Sequence, residues 1–244
     1  MVDVLFPIIE IFGPTIQGEG PHAGRVVAFI RTGGCDYRCE WCDSMYAVDP
    51  VEVRNNAERL SAAQIIERLP AEADTIILSG GNPALMPSPD LAVAIRESGR
   101  SFHVETQGSK WRSWLGLAEL LIVSPKPPSS GMSSKAESDL PAFLKHWRSA
   151  RAEASTIAPI ALKFVIADHA DLDWSLKLRE SIDPEHELPL YLSALTPPEC
   201  SLGELAGSYR NLCELVLESE EARSHDPVVF PQLHVVAWGH ARAV

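Results

Sequence analysis

Three cysteines within eight residues, Cys35, Cys39 and Cys42, limit what this chain can become more than anything else in it. They follow an apolar run, Val26-Val-Ala-Phe-Ile30, that reads as a strand. A structural zinc site wants four ligands, commonly as two paired knuckles, and a second pair is missing: Cys200 and Cys213 lie far along the chain and apart from each other. Disulfides fit poorly with an odd cysteine count and no sign of secretion. Thiolates are the usual protein ligands of iron–sulfur clusters, normally one per iron. Three with no fourth nearby point to a 4Fe–4S cubane with one iron left open to bind a small molecule. That is a catalytic arrangement.

The spacing Cys-x-x-x-Cys-x-x-Cys, with Trp41 before the last cysteine, resembles the signature of the radical S-adenosylmethionine (SAM) enzymes. The resemblance implies that the open iron chelates the amino and carboxylate groups of SAM. Electron transfer then cleaves the sulfonium and releases a 5′-deoxyadenosyl radical. The protein's tasks are binding, orientation and exclusion of side reactions.

Composition narrows the partners. A chain of 244 residues, 45% of them hydrophobic, suffices for one globular domain, so 1–244 is read as a single radical SAM domain. No apolar run approaches the roughly 20 residues needed to cross a bilayer. The N-terminus lacks a basic segment followed by an apolar core, so a cytoplasmic location is expected. Net charge is −12, with 33 acidic residues against 21 basic ones, which argues against nucleic acid as a partner. A small-molecule substrate is expected instead.

Motifs along the chain sharpen that expectation. Glu10-Ile-Phe-Gly-Pro-Thr-Ile16-Gln17-Gly18-Glu19-Gly20 is dense in glycine and proline and reads as a loop. It resembles the N-terminal segment of the 7-carboxy-7-deazaguanine synthases, which implies that Ile16, Gln17, Gly18 and Glu19 recognise a pterin. An amide, an exposed backbone and a carboxylate suit the donor–acceptor edge of such a ring. The same resemblance makes Arg31, at the end of the strand, the clamp for a substrate carboxylate. It makes Ser44 a magnesium ligand, in keeping with that ion's need for few protein oxygens. Trp41 and Asp43 are assigned to SAM.

Ser61 with Gln64 three residues on is a capping box and opens a helix. Thr75–Ser79 reads as a strand buried on both faces and runs into Gly80-Gly81-Asn82-Pro83, whose paired glycines expose backbone to a ligand. Gly-Gly-Asn-Pro is the form found in the synthase family, which implies SAM contact at Gly81 and substrate contact at Ser79. The third strand carries Glu105, read as either a ligand for the SAM ribose or a partner of a nearby base. The fourth strand ends in Ser124-Pro125-Lys126-Pro127-Pro128, a rigid loop that resembles a SAM-contacting segment of the family. Asp139 to about Glu153 reads as an amphipathic helix. Ile160–Ile166 and Leu188–Ala194 are the fifth and sixth strands, with Lys163 read as an outward-facing charge. Leu192 and Ser193 sit where the family places the adenine of SAM, although the Leu-Gln pattern expected there is absent. Pro231–Gly239 again resembles the family, implying substrate contact at His234 and, through the terminal carboxylate, at Val244.

Strands alternating with helices indicate a parallel α/β architecture. Six such units fall short of the eight of a closed barrel, so the expected fold is an open, partial β/α barrel of about six strands. The N-terminal loop and C-terminal tail would close its pocket. The resemblance implies the conversion of 6-carboxy-5,6,7,8-tetrahydropterin to 7-carboxy-7-deazaguanine, with loss of ammonia. It also implies a homodimer and an electron donor such as flavodoxin or ferredoxin. Two alternatives remain at this point: an activase that makes a radical on a partner protein, and a non-catalytic iron–sulfur electron carrier.

Overall fold

The computed structural model describes residues 4–86, 89–154, 156–196 and 200–243. The strands are β1 (Phe6–Ile16), β2 (Val26–Thr32), β3 (Glu58–Leu60), β4 (Thr75–Gly80), β5 (Ser101–Thr106), β6 (Leu120–Val123), β7 (Ile160–Ile166), β8 (Leu190–Ala194) and β9 (Val228–Phe230). The helices are α1 (Met45–Val48), α2 (Pro50–Asn56), α3 (Ala62–Arg68), α4 (Asp90–Glu97), α5 (Ser133–Glu153), α6 (His169–Ile182), α7 (Leu202–Glu218), α8 (Glu220–Ser224) and α9 (Leu233–Trp238). Among the described residues all nine strands join one sheet in the order β3-β1-β2-β4-β5-β6-β7-β8-β9. From β2 through β4 to β9 every neighbouring pair is parallel. β1 and β3 add an antiparallel margin at one edge. The first and last strands in this order do not pair, so the barrel is partial and open.

Helices cover the outer face because the strands between them bury one row of side chains against them. On β7, Leu162, Phe164 and Ile166 belong to that core, together with Phe102 and Val104 of β5. The opposite row, Lys163 and Val165, faces the barrel interior. Sequence signals for the crossovers hold locally. Ser61 and Gln64 form the reciprocal capping box of α3, and Ser201 with Glu204 does the same for α7.

Three expectations need correction. Residues 10–16 are not loop: they are the second half of β1, paired with β2 on one side while its first half pairs with β3. Glycine and proline are accommodated because the β1–β2 register shifts between Phe12 and Thr15, where the cis Gly13–Pro14 bond lies. A residue without an N–H loses no ladder bond at such an irregularity. Only Gln17 onward leaves the sheet, through a short 3-10 turn at Gly20–His22. Lys163 does not face outward. A central strand covered on both faces has no solvent side, and this lysine is 7% exposed. Finally, α5 starts at Ser133 rather than Asp139, and β9 extends the parallel series with a strand too short to stand out as an apolar run.

Candidate active site

A cavity of about 480 Å³ opens at the C-terminal ends of the parallel strands. Its walls come from distant parts of the chain, namely residues 12–19, the cysteine loop, the ends of β4 to β7, and the tail from Gln232 to Ala243. Of the residues singled out from the sequence, Ile16, Gln17, Gly18, Glu19, Arg31, Cys35, Cys39, Trp41, Cys42, Asp43, Ser44, Ser79, Gly81, Glu105, Ser124, Lys126 and His234 line it. Pro125, Leu192 and Ser193 do not. Leu192 packs in the core, and Ser193 sits behind the wall, its hydroxyl donating to Glu19 at 3.1 Å. Val244 lies outside the described residues.

The cysteine loop is held by side-chain amides that follow the glycine pair and the third parallel strand. Asn82 Nδ2 donates to Asp36 at 3.0 Å, and Gln107 Nε2 donates to the same oxygen at 2.6 Å. Thr106 and Ala84 both donate to the Asn82 carbonyl oxygen, which fixes that side chain in turn. The glycine pair closes the same junction. A Cβ on Gly81 would stand 2.1 Å from the Gly34 carbonyl oxygen. The N–H of Gly81, which the sequence suggested for a ligand, donates to the Thr32 carbonyl at 3.0 Å, and the N–H of Asn82 donates to the Gly34 carbonyl at 2.7 Å. The glycines therefore bring β4 against the cysteine loop as well as lining the cavity.

The three thiols pack with Tyr37, Ala136, Met132 and Trp174 in a small apolar cluster. Burial raises the pKa of each, that of Cys42 to about 11, with Lys126 opposing the rise. Neutral thiols are what an apolar site tolerates; iron would displace their protons and compensate the thiolate charge. Cys200 and Cys213 are elsewhere: Cys200 lies 3.8 Å from His240, and Cys213 is on α7. The donor set thus fits a cubane that leaves one iron without a protein ligand. Beside it, Trp41 Nε1 donates to Ser129 at 2.9 Å, and Ser129 is anchored by Asp171. Lys126 lies 5.8 Å above the Trp41 ring.

Along the same wall, Arg31 donates through Nε to Glu10 at 2.6 Å and stands over the rings of Phe12 and Tyr46. Ser44 donates to Asp43 at 2.7 Å, so two oxygens capable of holding a hard cation sit side by side. Glu105 accepts from Gln17 and Ser79, one at each oxygen and both at 2.9 Å. Its hydrogen-bond partners among the described residues are thus two neutral donors, with the Lys163 ammonium close enough to feel its charge.

Glu19 makes the most connected contact. It pairs with Lys163 and also accepts from Ser193 and from Gln232, the latter at 2.7 Å. Burial alone would raise its pKa, but Lys163, His234 and Gln232 outweigh it and bring the value down to about 2. The tail is drawn in by the same segment. Leu233 donates its N–H to the Gly18 carbonyl at 3.0 Å, and a Cβ on Gly18 would stand 1.9 Å from His234 Nδ1. Arg242 then lies 3.6 Å over the Tyr46 ring and 3.3 Å from Glu10.

Several lining residues were given no role from the sequence: Phe12, Phe29 and Gln232, which lie inside the quoted segments, and Tyr46, Gln107 and Arg242. Phe12 and Phe29 stack at 5.1 Å on opposed strands. The alternation of β1 would have exposed Phe12, had the segment been read as a strand.

No protein-family model matches the chain. A 7-carboxy-7-deazaguanine synthase from Bacillus cereus is 33% identical over 98% of this chain and 98% of its own length. The crystal structure of QueE from Escherichia coli superposes with a TM-score of 0.63 at 21% identity, covering 88% of this chain and 90% of that one. Streptococcus suis SuiB bound to S-adenosylmethionine gives 0.54 at 11% identity, covering 83% of this chain and 49% of that one. The two structural likenesses speak to the fold, and the long sequence match speaks to descent.

Proposed function

Because the chain belongs to the 7-carboxy-7-deazaguanine synthase family, we propose that it is the radical SAM enzyme that converts 6-carboxy-5,6,7,8-tetrahydropterin to 7-carboxy-7-deazaguanine, with loss of ammonia. The observation that carries this reading is convergence. Three cysteines with no fourth beside them, a glycine pair and the N-terminal segment Ile16–Glu19, far apart in sequence, line one cavity. Its volume of about 480 Å³ lies within the range of small-molecule sites.

Cys35, Cys39 and Cys42 would hold the cluster, which would supply the reducing electron for SAM cleavage and hence the means of hydrogen abstraction at C6 of the pterin. The chain's own residues bind and orient. Gly81, Glu105, Ser124 and Lys126 surround the SAM side of the cavity, with Trp41 as an aromatic wall, and Ser79 meets the substrate. Arg31 grips the substrate carboxylate, its guanidinium oriented by the Nε hydrogen bond to Glu10. Ser44 and Asp43 supply oxygens for Mg2+ next to the same carboxylate. Gln17, Gly18 and Glu19 present a donor–acceptor edge to the ring, with Gln17 held in place by its hydrogen bond to Glu105. Phe12 and Phe29 offer a stacked apolar face, and the Arg242 tail covers the opening and excludes water. The N-terminal segment and the tail thus close the pocket of one radical SAM domain. The enzyme works as a cytoplasmic homodimer with flavodoxin or ferredoxin as electron donor, a reducing setting suited to its free thiols.

The test is anaerobic turnover of cluster-loaded protein with SAM, a strong reductant, Mg2+ and the tetrahydropterin, followed by mass spectrometry. 7-Carboxy-7-deazaguanine is expected, and is lost on Cys39→Ala. SAM cleavage without that product would overturn the substrate assignment, and an iron-loaded protein giving neither would overturn the enzyme.

A further inference from the structure

A group of side chains of the kinds that ligate metals lies at the opposite end of the sheet from the cavity. Glu180 is in the last turn of α6, His186 is in the connection that leads to β8, and His225 directly follows α8 on the way to β9. Among the described residues, donor atoms of these three side chains lie within 4.8 Å of one another. His186 Nε2 is 2.9 Å from Glu180 Oε2. The rings of His186 and His225 face each other with centroids 4.3 Å apart.

The backbone around them is shaped to hold this arrangement. His186 has φ 53° and Asp226 φ 48°, a left-handed region that residues other than glycine seldom occupy. The Arg179 guanidinium donates to the carbonyls of His225 and Leu188 at 2.8 and 2.9 Å, joining the two connections from below. The bland reading is a stacked histidine pair with a surface carboxylate. One feature exceeds it. His225 is 5% exposed, and its Nδ1 is buried with no hydrogen-bond partner. Buried imidazole nitrogens are normally satisfied, and a coordinated ion provides what the protein does not.

We propose that Glu180, His186 and His225 bind a divalent transition ion of the zinc class, separate from the catalytic cavity, which clips the α6–β8 connection to the α8–β9 connection. Two imidazoles and one carboxylate are a common zinc set, with a fourth position left to water on the exposed Glu180 side. Calcium and magnesium, which take oxygen ligands, fit this set poorly. Bonds of about 2.0–2.2 Å to a tetrahedral ion put ligand atoms roughly 3.4 Å apart. From the present spacing the 2.9 Å Glu180–His186 contact would open by about half an ångström and the wider separations, up to 4.8 Å, would close, movements open to an exposed glutamate and a half-buried histidine. The clip would steady β8 and β9, from which the chain continues to Gln232 and His234 in the cavity.

The experiment uses the cluster-loaded enzyme, so that the cavity thiols are occupied by iron. It is dialysed free of loose metal and titrated anaerobically with Zn2+. Zinc and iron per chain are counted, and zinc K-edge absorption reports the ligands. One zinc per chain is expected beyond the iron, with nitrogen and oxygen neighbours and no sulfur shell near 2.3 Å. His186→Gln and Glu180→Gln, both at accessible positions, should weaken zinc binding roughly tenfold or more. Iron content should stay unchanged, and the zinc-dependent rise in melting temperature should disappear. Absence of zinc uptake, equal uptake by wild type and both variants, or a zinc–sulfur shell would each overturn the site.

Discussion

Replacing Glu19 by glutamine keeps the shape of the side chain and leaves Lys163 as a buried cation without its carboxylate. The two side chains are 13% and 9% exposed, so solvent screens little of the loss. Removing one partner of a buried pair typically costs about 3–5 kcal/mol, most of it from the charge left behind. The glutamine amide can still meet Ser193 and Gln232, which keeps that figure from rising further. For a chain of this length, roughly 2–4 °C of melting temperature accompany each kcal/mol, so a fall of about 6–20 °C is expected. Adding Lys163→Met removes the orphaned charge and should restore most of the stability, because apolar replacements of buried pairs are commonly neutral or stabilising. Anaerobic urea unfolding of the wild type, both single variants and the double variant, matched for iron content, gives the cycle directly. A Glu19→Gln variant within about 1 kcal/mol of wild type, or a double variant no more stable than it, would refute the view of this pair as a buried anchor.

Three further outcomes follow from the same geometry. Burial, with His22 stacked against it and Arg25 nearby, lowers the His103 pKa to about 4 from 6.5. The folded state then binds fewer protons than the unfolded one, so this histidine's contribution is complete above pH 6.5 and is lost as pH falls toward 4. It amounts to at most about 3 kcal/mol, and His103→Phe should flatten the stability–pH curve of the metal-free protein across that window; an unchanged slope contradicts it. Arg31→Met should raise KM for the pterin by roughly 10- to 100-fold, the value of a charge-assisted contact, while SAM still binds; equal loss of both would remove Arg31 from substrate binding. Gly81→Ala forces a Cβ against the Gly34 carbonyl and should cost about 1–3 kcal/mol, together with looser iron retention; an unaltered melting temperature would show that the junction yields.

The fold was legible where periodicity and capping were local. The apolar runs of β2, β4, β6 and β7 and the capping box at Ser61 needed no tertiary information. β1 was hidden because Gly13 and Pro14 normally mark turns, and only its pairing with two neighbours makes a strand of it. Lys163 was misplaced for a related reason. A charge in an apolar strand looks outward until the partner, Glu19, arrives from the far end of the chain. At the site, the cysteines and glycines were plain, since their spacing is itself the chemistry. Arg242, Gln232 and Tyr46 were not, because each gains its place through contacts over long sequence separations. The Gly-Gly-Asn-Pro motif has a structural task that the sequence did not reveal: Asn82 braces the cysteine loop through Asp36, and the Gly81 amide is taken up by Thr32.

The central claim is that a radical made at the three-cysteine cluster takes hydrogen from the pterin held across the same cavity. Substrate deuterated at C6, turned over anaerobically with SAM, tests it most directly. The account predicts deuterium in the 5′-deoxyadenosine released and the appearance of 7-carboxy-7-deazaguanine in the same reaction. Unlabelled 5′-deoxyadenosine formed alongside that product would contradict it.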